Sequence, residues 1–294
     1  MNNTCKYARR SMFLGVVALA LGCRGNPTTI LTRLEDSRRV TAQLQGQLSQ
    51  AAEASHRAVM ADTDDASVAA AQEAERATKA VETDVATLGQ LLAGLSYANE
   101  AQLLREFQAD FARYQQLDRR ILALAVENTN LKAQALAFGP ASIAANAFCS
   151  ALERMGASLP NKDRCRTDGL VAGAIRAVRE IQVLHSPHIA ERDDATMARM
   201  EREMNELDAK ARSALDALGA AAPANTAPVL AESRAKLDEL KLVTGKIVEL
   251  SRRNTNVLSL DLALRQQPAL HAACEDKLRA LTEALAKEGS KAER

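Results

Sequence analysis

Residues 127–137 read ENTNLKAQALA, and residues 253–263 read RNTNVLSLDLA. Each stretch places the tripeptide Asn-Thr-Asn inside a run that otherwise has the spacing of an apolar helix. Asparagine is a poor residue for a helix interior because its side-chain amide competes for backbone hydrogen bonds. Two such insertions at matching places indicate an internal duplication, a specific role for the amides, or both.

Further matches support a duplication. At the offset of 126 residues that separates the two tripeptides, Ile121, Leu124, Leu136 and Ala137 match Ile247, Leu250, Leu262 and Ala263. Upstream, at an offset of 129, His56, Ala61, Asp64, Asp65 and Ala66 match His185, Ala190, Asp193, Asp194 and Ala195. The difference of three residues fits a length change in a loop. We therefore predict a first helical repeat at 23–139 and a second at 140–288.

Composition predicts an all-α fold. The 294 residues are 47% hydrophobic but only 3% aromatic, and they include only 7 prolines, which favours long helices. Helical periodicity predicts about six long helices in an elongated antiparallel bundle, with the two repeats packed as one or two four-helix bundles. The predicted ranges are 28–61, 65–93, 99–155 with a bend at Gly139-Pro140, 169–190, 194–219 and 229–286, followed by a disordered tail at 289–294.

A heptad pattern runs through both long helices and includes the tripeptides. The inward positions are Leu117, Ile121, Leu124, Asn128, Leu131, Ala135 and Phe138 in the first copy, and Val243, Ile247, Leu250, Asn254, Val257, Asp261 and Leu264 in the second. Asn128 and Asn254 should therefore point inward. They either fix the register of the bundle or line a ligand cavity, and Asp261 on the same face favours a functional role.

Aromatic residues are confined to one part of the mature chain. They are Tyr97, Phe107, Phe111, Tyr114, Phe138 and Phe148. Aromatic residues at helical spacing are typical of a core. The alternative is a ligand pocket along the first half of the third helix.

Residues 1–22 are predicted to be a lipoprotein signal peptide. Basic residues at 6, 9 and 10 precede SMFLGVVALALG, which is too short to span a bilayer. The tetrapeptide ALGC at 20–23 resembles a bacterial lipobox, so Cys23 is predicted to carry a lipid after cleavage. An ordinary secretory signal or an uncleaved anchor is the alternative. We expect anchoring in the cell envelope facing the periplasm, in the outer membrane rather than the inner because Arg24 is not the aspartate of inner-membrane retention.

Three further cysteines would face an oxidising compartment. Cys149 and Cys165 flank ERMGASLPNKDR, which has the composition of a connection between two helices. If that connection forms a hairpin, the two thiols approach each other, and we predict a disulfide between them. Cys274 is left over, on a helix.

Charge and motifs exclude several classes of function. Without Lys6, Arg9 and Arg10, 35 basic residues face 37 acidic ones, and no basic stripe predicts nucleic-acid binding. No nucleophile elbow, phosphate loop or cysteine–metal motif predicts an enzyme or a cofactor. His185, His188 and Glu191, with His56, could form a partial metal site. Surface or capping positions are the alternative, and we predict no metal.

The segments ALAVENTNLKAQALAFGPA (123–141) and VELSRRNTNVLSLDLAL (248–264) resemble the four-helix-bundle sensor domain of methyl-accepting chemotaxis receptors. The resemblance implies a stand-alone sensor-like bundle, without the signalling domain, that binds a small ligand or a receptor or envelope partner, and a homodimer is possible. Residues expected at such a site are Asn128, Asn254, Asp261, Arg252 and Arg253; Arg38 and Arg39 are further candidates for holding an anion. The alternative is a structural coiled-coil lipoprotein that spaces or scaffolds envelope components.

Overall fold

The protein is described by a computed structural model over residues 27–158, 164–221 and 224–292. These residues form ten α-helices and no strand, which confirms the all-α class. The helices are α1 (Pro27–Met60), α2 (Asp64–Leu95), α3 (Ala98–Glu127), α4 (Thr129–Leu136), α5 (Ser142–Ser158), α6 (Arg164–Ala190), α7 (Asp194–Ala221), α8 (Ala227–Arg253), α9 (Thr255–Arg265) and α10 (Gln267–Ala292). The predicted signal peptide and Cys23 lie outside the described residues.

The helices form two groups of four, each around its own hydrophobic core. The first bundle consists of α1, α2, α3 and α10, and its core includes Phe107, Tyr114 and Leu281. The second bundle consists of α5, α6, α7 and α8, around Phe148, Met155 and Ile247. The first helix of the second bundle, α5, follows α3 of the first bundle, and the last helix of the first bundle, α10, follows α8 of the second, so the chain crosses between the bundles twice. The short helices α4 and α9 lie at the two crossings.

Side-chain contacts fix the directions of neighbouring helices. Arg33, near the start of α1, donates to the Gly94 carbonyl near the end of α2 (3.0 Å), whereas Ser67, near the start of α2, donates to Ala58 near the end of α1 (3.0 Å). The two helices are therefore antiparallel. In the second bundle, Arg234 bonds to Asp216 (2.7 Å) and Arg252 bonds to Glu201 (2.6 Å), which makes α7 and α8 antiparallel as well.

The two long helices are interrupted where the sequence predicts them to continue. Asn128 and Asn254 adopt left-handed backbone conformations, with φ of 50° and 52°, and each ends one helix and starts the next. Asparagine tolerates this conformation better than most side chains. The break also changes which face points inward after it. Phe138, predicted on the inward face, is 72% exposed, and Leu264 is 56% exposed.

The C-terminal helix is longer than predicted. α10 extends to Ala292, so residues 289–292 of the predicted disordered tail are helical. Arg38 of α1 stabilises this end by donating to the carbonyls of Leu285 and Ala286, both at 3.1 Å. A side chain at Gly289 would collide with the Arg38 guanidinium, so a glycine there allows the contact. Gly289 therefore belongs to a packed contact between α10 and α1.

Within the described residues, one helical stretch, 98–157, is long and apolar enough to cross a membrane by length and composition. The same stretch contributes α3 to the first core and α5 to the second. Core helices of bundles satisfy the same criterion.

Candidate functional site

The two Asn-Thr-Asn tripeptides meet where the chain crosses between the bundles. Their hydrogen bonds are reciprocal. Thr129 N–H donates to Thr255 Oγ1 (3.2 Å), and Thr255 N–H donates to Thr129 Oγ1 (3.1 Å). Asn130 N–H donates to Asn256 Oδ1 (3.1 Å), and Asn256 N–H donates to Asn130 Oδ1 (3.2 Å). We call this contact, formed by residues 128–130 and 254–256, the Asn-Thr-Asn junction.

Helix capping explains these residue types. The first N–H groups of a helix have no partner within it, and Ser, Thr, Asn and Asp side chains commonly accept from them. Here the left-handed residue starts a new helix, and the Thr and Asn that follow accept from the first N–H groups of the opposite helix. Each tripeptide therefore caps the other.

The predicted site residues Asn128 and Asn254 are used inside this junction. Asn128 Oδ1 accepts from Asn256 Nδ2 (2.9 Å), and Asn254 Oδ1 accepts from Asn130 Nδ2 (2.9 Å). Asn254 Nδ2 also donates to the Glu191 carbonyl (2.7 Å). Both asparagines are buried, at 1% and 7% exposure. This geometry fits the register role better than a ligand cavity.

A cleft of about 150 Å³ lies in the second bundle between α6, α7 and α8. Its apolar walls are Ile181, Met204, Leu240 and Val248, and its polar or small lining residues are Glu201, Asn205, Asp208, Lys241, Thr244 and Gly245. The apolar residues on α7 and α8 project from neighbouring turns, which the helical repeat places on one face. Gly245 has no atom within 4 Å of the position where a Cβ would stand. The missing side chain therefore helps to keep the cleft open.

Two buried histidines lie behind this cleft. His185 Nε2 is 3.1 Å from the Thr244 hydroxyl. His188 Nδ1 is 2.6 Å from the Ser251 hydroxyl, and its Nε2 is 3.0 Å from Glu201 Oε1. An ionised carboxylate only accepts, so Nε2 of His188 carries the hydrogen of that bond. Thr244 and Glu201, which both line the cleft, are thus each held by a histidine from α6.

Burial sets the protonation of His185, and hydrogen bonds set that of Glu201. Desolvation lowers the pKa of His185 to about 4, with the neighbouring His188 acting in the same direction, so the His185 ring is neutral near pH 7. The pKa of Glu201 is lowered, chiefly by its hydrogen bond from Arg252 and also by the one from His188. A neutral histidine and an ionised carboxylate therefore stand beside the cleft.

The first bundle has a different polar cluster at the position that the offset of 126 residues matches with Thr244. Asp118, offset by 126 residues from Thr244, is 2% exposed and accepts from Gln267 Nε2 (2.8 Å). The same Gln267 amide is 3.2 Å from the Ser55 hydroxyl. Desolvation raises the pKa of Asp118 to about 6, against the hydrogen bonds from Ser55 and Gln267. The fully buried Tyr114 lies beside this cluster, and burial raises its pKa above the usual range.

The charged residues predicted for the site are paired within the protein. Asp261, predicted on the inward face, accepts from Arg192 (3.1 Å) and forms an ion pair with Arg265 (2.9 Å). Arg252 pairs with Glu201 at the rim of the cleft, and Arg253 pairs with Glu127 across the Asn-Thr-Asn junction (3.0 Å). The structure thus brings Arg252 to the cleft, and it places Arg253 and both asparagines at the junction.

The cysteines predicted to form a disulfide are free thiols in the structure, as is Cys274. Arg179 of α6 bonds to Asn146 of α5, which places Cys149 level with residue 176. Cys165 is eleven residues from that level, or about 16 Å along the helix axis. A disulfide requires Cα atoms closer than about 7 Å. Cys149 points into the core and Cys165 is exposed.

Sequence reasoning missed the cleft, although one signal pointed to it. Glycine in a helix interior is less favourable than alanine by roughly 1 kcal/mol, so Gly245 within the apolar pattern of α8 needed an explanation. The histidines were treated as surface, capping or partial metal positions. His185 and His188 are instead buried and bonded to α8, whereas His56 is exposed. Among the described residues, no group of three or more His, Cys, Asp or Glu side chains is arranged to hold a metal.

Comparison of the chain with family models, curated proteins and solved structures found no match.

Proposed function

We propose that this protein is a lipid-anchored, periplasm-facing helical module that binds a small ligand in the cleft between α6, α7 and α8. The observation that carries the proposal is the cleft itself: an apolar recess with a few converging polar groups, two of which are held in place by buried histidines. Such recesses are the usual form of small-molecule sites. The resemblance of the tripeptide segments to chemoreceptor sensor domains favours the same function.

The size of the cleft limits the ligand. An apolar cavity of about 150 Å³ can hold a molecule the size of benzene. The cleft has a similar volume, so a ligand with roughly six to eight non-hydrogen atoms fits inside it. Larger molecules would extend past Lys241 and Asn205, which are both exposed.

The test uses substitutions at two glycines. Gly245→Leu should fill the cleft and abolish binding of small aromatic and aliphatic probes, measured by ligand-detected NMR and thermal shift on the full chain. Gly46→Leu is the matched control, because Gly46 is also exposed within a long helix with nothing near its Cβ position, but belongs to the first bundle. Equal responses of both variants and the unchanged protein to every probe would argue against the cleft.

A structural role in the envelope is the second candidate, and the Asn-Thr-Asn junction favours it. Six reciprocal hydrogen bonds hold the two crossings together, as a spacer with two fixed bundles requires. Membrane attachment through Cys23 is common to both candidates. Cys23→Ser should release the protein from the membrane fraction or block its processing, and unchanged attachment and processing would contradict a lipid anchor.

A further inference from the structure

The charged groups around the cleft include both signs, and each carboxylate has a cationic partner. Two carboxylates line it, Glu201 and Asp208, both from α7, whereas Lys241 supplies the cation among its lining residues. Asp208 is buried and Glu201 is partly buried, so water screens them less than surface groups. The neutral His185 adds no positive charge. Arg252 and His188 already bind Glu201, so Asp208, whose exposed partner Lys241 lies 3.7 Å away, is the carboxylate that a ligand cation can reach.

The chain already places a primary ammonium group at the mouth of the cleft. Lys241 Nζ donates to Asn205 Oδ1 at 2.5 Å and lies 3.7 Å from Asp208 Oδ2. Asn205 and Lys241 are both exposed, so this contact can open without unfolding the bundle. Asp208 keeps a second partner when Lys241 leaves, because Arg212 Nε donates to the same carboxylate oxygen (3.1 Å).

The apolar lining residues lie next to these polar groups on the same two helices. Met204 lies one helical turn before Asp208 on α7, and Leu240 precedes Lys241 on α8; both are almost fully buried. A molecule with a cationic end at Asp208 would thus place its body against Met204 and Leu240. Thr244, one turn further along α8, is within reach of the deeper end.

The geometry points to a small primary amine with an apolar body as the ligand: its ammonium takes the place of Lys241 Nζ between Asn205 and Asp208, and its body fills the recess. This inference rests on the proposed function of the cleft. A carboxylate of the same shape has no hydrogen to donate to Asn205 Oδ1 or Asp208 and would be repelled by the Asp208 carboxylate, which disfavours it. A neutral alcohol would fill the recess but would lose the charge-assisted hydrogen bond.

Three probes of one shape test the inference: benzylamine, benzyl alcohol and benzoate, titrated into the full mature chain by isothermal calorimetry and NMR. We expect benzylamine to bind about tenfold more tightly than the alcohol, since charge-assisted bonds are roughly twice as strong as neutral ones, and benzoate not to bind. Asp208→Asn should remove the preference for the amine while leaving the alcohol unchanged, which also reports an intact fold.

Lys241→Met should increase the affinity for benzylamine by removing the competing ammonium. Lys246→Met is the control, because Lys246 is exposed on the same helix and does not line the cleft. Equal or tighter binding of the alcohol or of benzoate would overturn the amine assignment and leave the cleft as a binding site. No binding of any of the three, together with no effect of Gly245→Leu, would overturn the amine assignment and the proposed function together.

Discussion

The two bundles place different polar groups at equivalent positions. Asp118 in the first bundle corresponds to Thr244 in the second, and the exposed His56 corresponds to the buried His185. In the first bundle the carboxylate is enclosed with Gln267 and Ser55. In the second, the hydroxyl lines an open cleft and is bonded from behind by a histidine. One helical framework thus surrounds a closed polar cluster at one end and a cleft at the other.

This difference shows that the residue types are constrained differently at the junction and in the bundle interiors. At the junction the same three residues are needed in both tripeptides, because each tripeptide caps the other. Inside the bundles no such reciprocity exists, so the equivalent positions are free to carry different chemistry. In the second bundle one of these positions, Thr244, lines the cleft between α6, α7 and α8.

The largest expected effect concerns the junction. Asn130→Ala removes an acceptor for Asn256 N–H and two donor contacts, to Asn254 Oδ1 and to the Ile189 carbonyl. At about 1 kcal/mol per hydrogen bond, we expect a loss of roughly 3 kcal/mol in the free energy of unfolding. Its counterpart Asn256→Ala removes two contacts and should cost about 2 kcal/mol. Urea denaturation measures both, and equal losses would mean that the Ile189 contact contributes nothing.

Much of the fold was predictable because it depends on local patterns. Helix-forming composition and the 3.6-residue period predicted helices close to those observed, including the inward positions of Asn128 and Asn254. The breaks at these asparagines were not predicted, because a left-handed residue inside a helix is stable only when the opposite tripeptide caps the new helix. That contact joins residues 126 positions apart, which no local pattern shows.

The candidate site was harder to predict for the same reason. The cleft exists because Gly245, Met204 and Ile181 come from three helices that meet only in the fold. The predicted disulfide is absent because Cys149 and Cys165 lie at different heights along their two helices. Helix packing sets these heights, and the spacing of the two cysteines in the sequence does not show them. The predicted carboxylate and arginines do occur near the junction and cleft, but each is paired within the protein: Arg252 and Arg253 with residues of other helices, and Asp261 with Arg192 and with Arg265 of its own helix.

The next effect is an opposed pH dependence of the two bundles. Asp118 has a folded pKa of about 6, above its ordinary value near 4, so the fold binds its proton more tightly than the unfolded chain does. Stability from this group rises as the pH falls from 6 towards 4, by on the order of 3 kcal/mol. His185 behaves oppositely, because its folded pKa of about 4 lies below the ordinary 6.5. Stability is lost as the pH falls from 6.5 towards 4, by a similar amount.

Single substitutions separate the two contributions. Asp118→Asn should make unfolding more sensitive to acid than in the unchanged protein, since only the histidine contribution remains. His185→Gln, which keeps an amide near Thr244, should make it less sensitive. Urea unfolding between pH 4 and 7 gives both slopes relative to the unchanged protein, so that other carboxylates cancel. Identical slopes in all three proteins would contradict the burial argument for both groups.

A smaller effect is expected at the two open glycines. Gly46→Ala and Gly245→Ala should each raise the free energy of unfolding by about 0.5–1 kcal/mol, because alanine favours the helix and neither position has a neighbour to disturb. Thermal denaturation gives both values. A clear destabilisation by Gly245→Ala alone would mean that the cleft is more tightly closed than its geometry indicates.

The smallest effect concerns the ion pair between Glu127 and Arg253, which spans the Asn-Thr-Asn junction. Glu127 and Arg253 directly precede the two tripeptides, and they form an ion pair at 3.0 Å with both side chains about half exposed. Exposed pairs contribute about 0.2–1 kcal/mol. Glu127→Arg places an arginine before both tripeptides and brings two cations together, so it should lower the free energy of unfolding by about that amount. The double change Glu127→Arg with Arg253→Glu should restore stability, since the reciprocal backbone bonds of the junction do not involve either side chain.

Urea unfolding at low and high salt measures the difference in the free energy of unfolding between the variants. This difference should become smaller at high salt, because salt screens the charges. If the double variant is no more stable than Glu127→Arg alone, the contribution of this pair depends on which side chain stands at which position and not on charge alone.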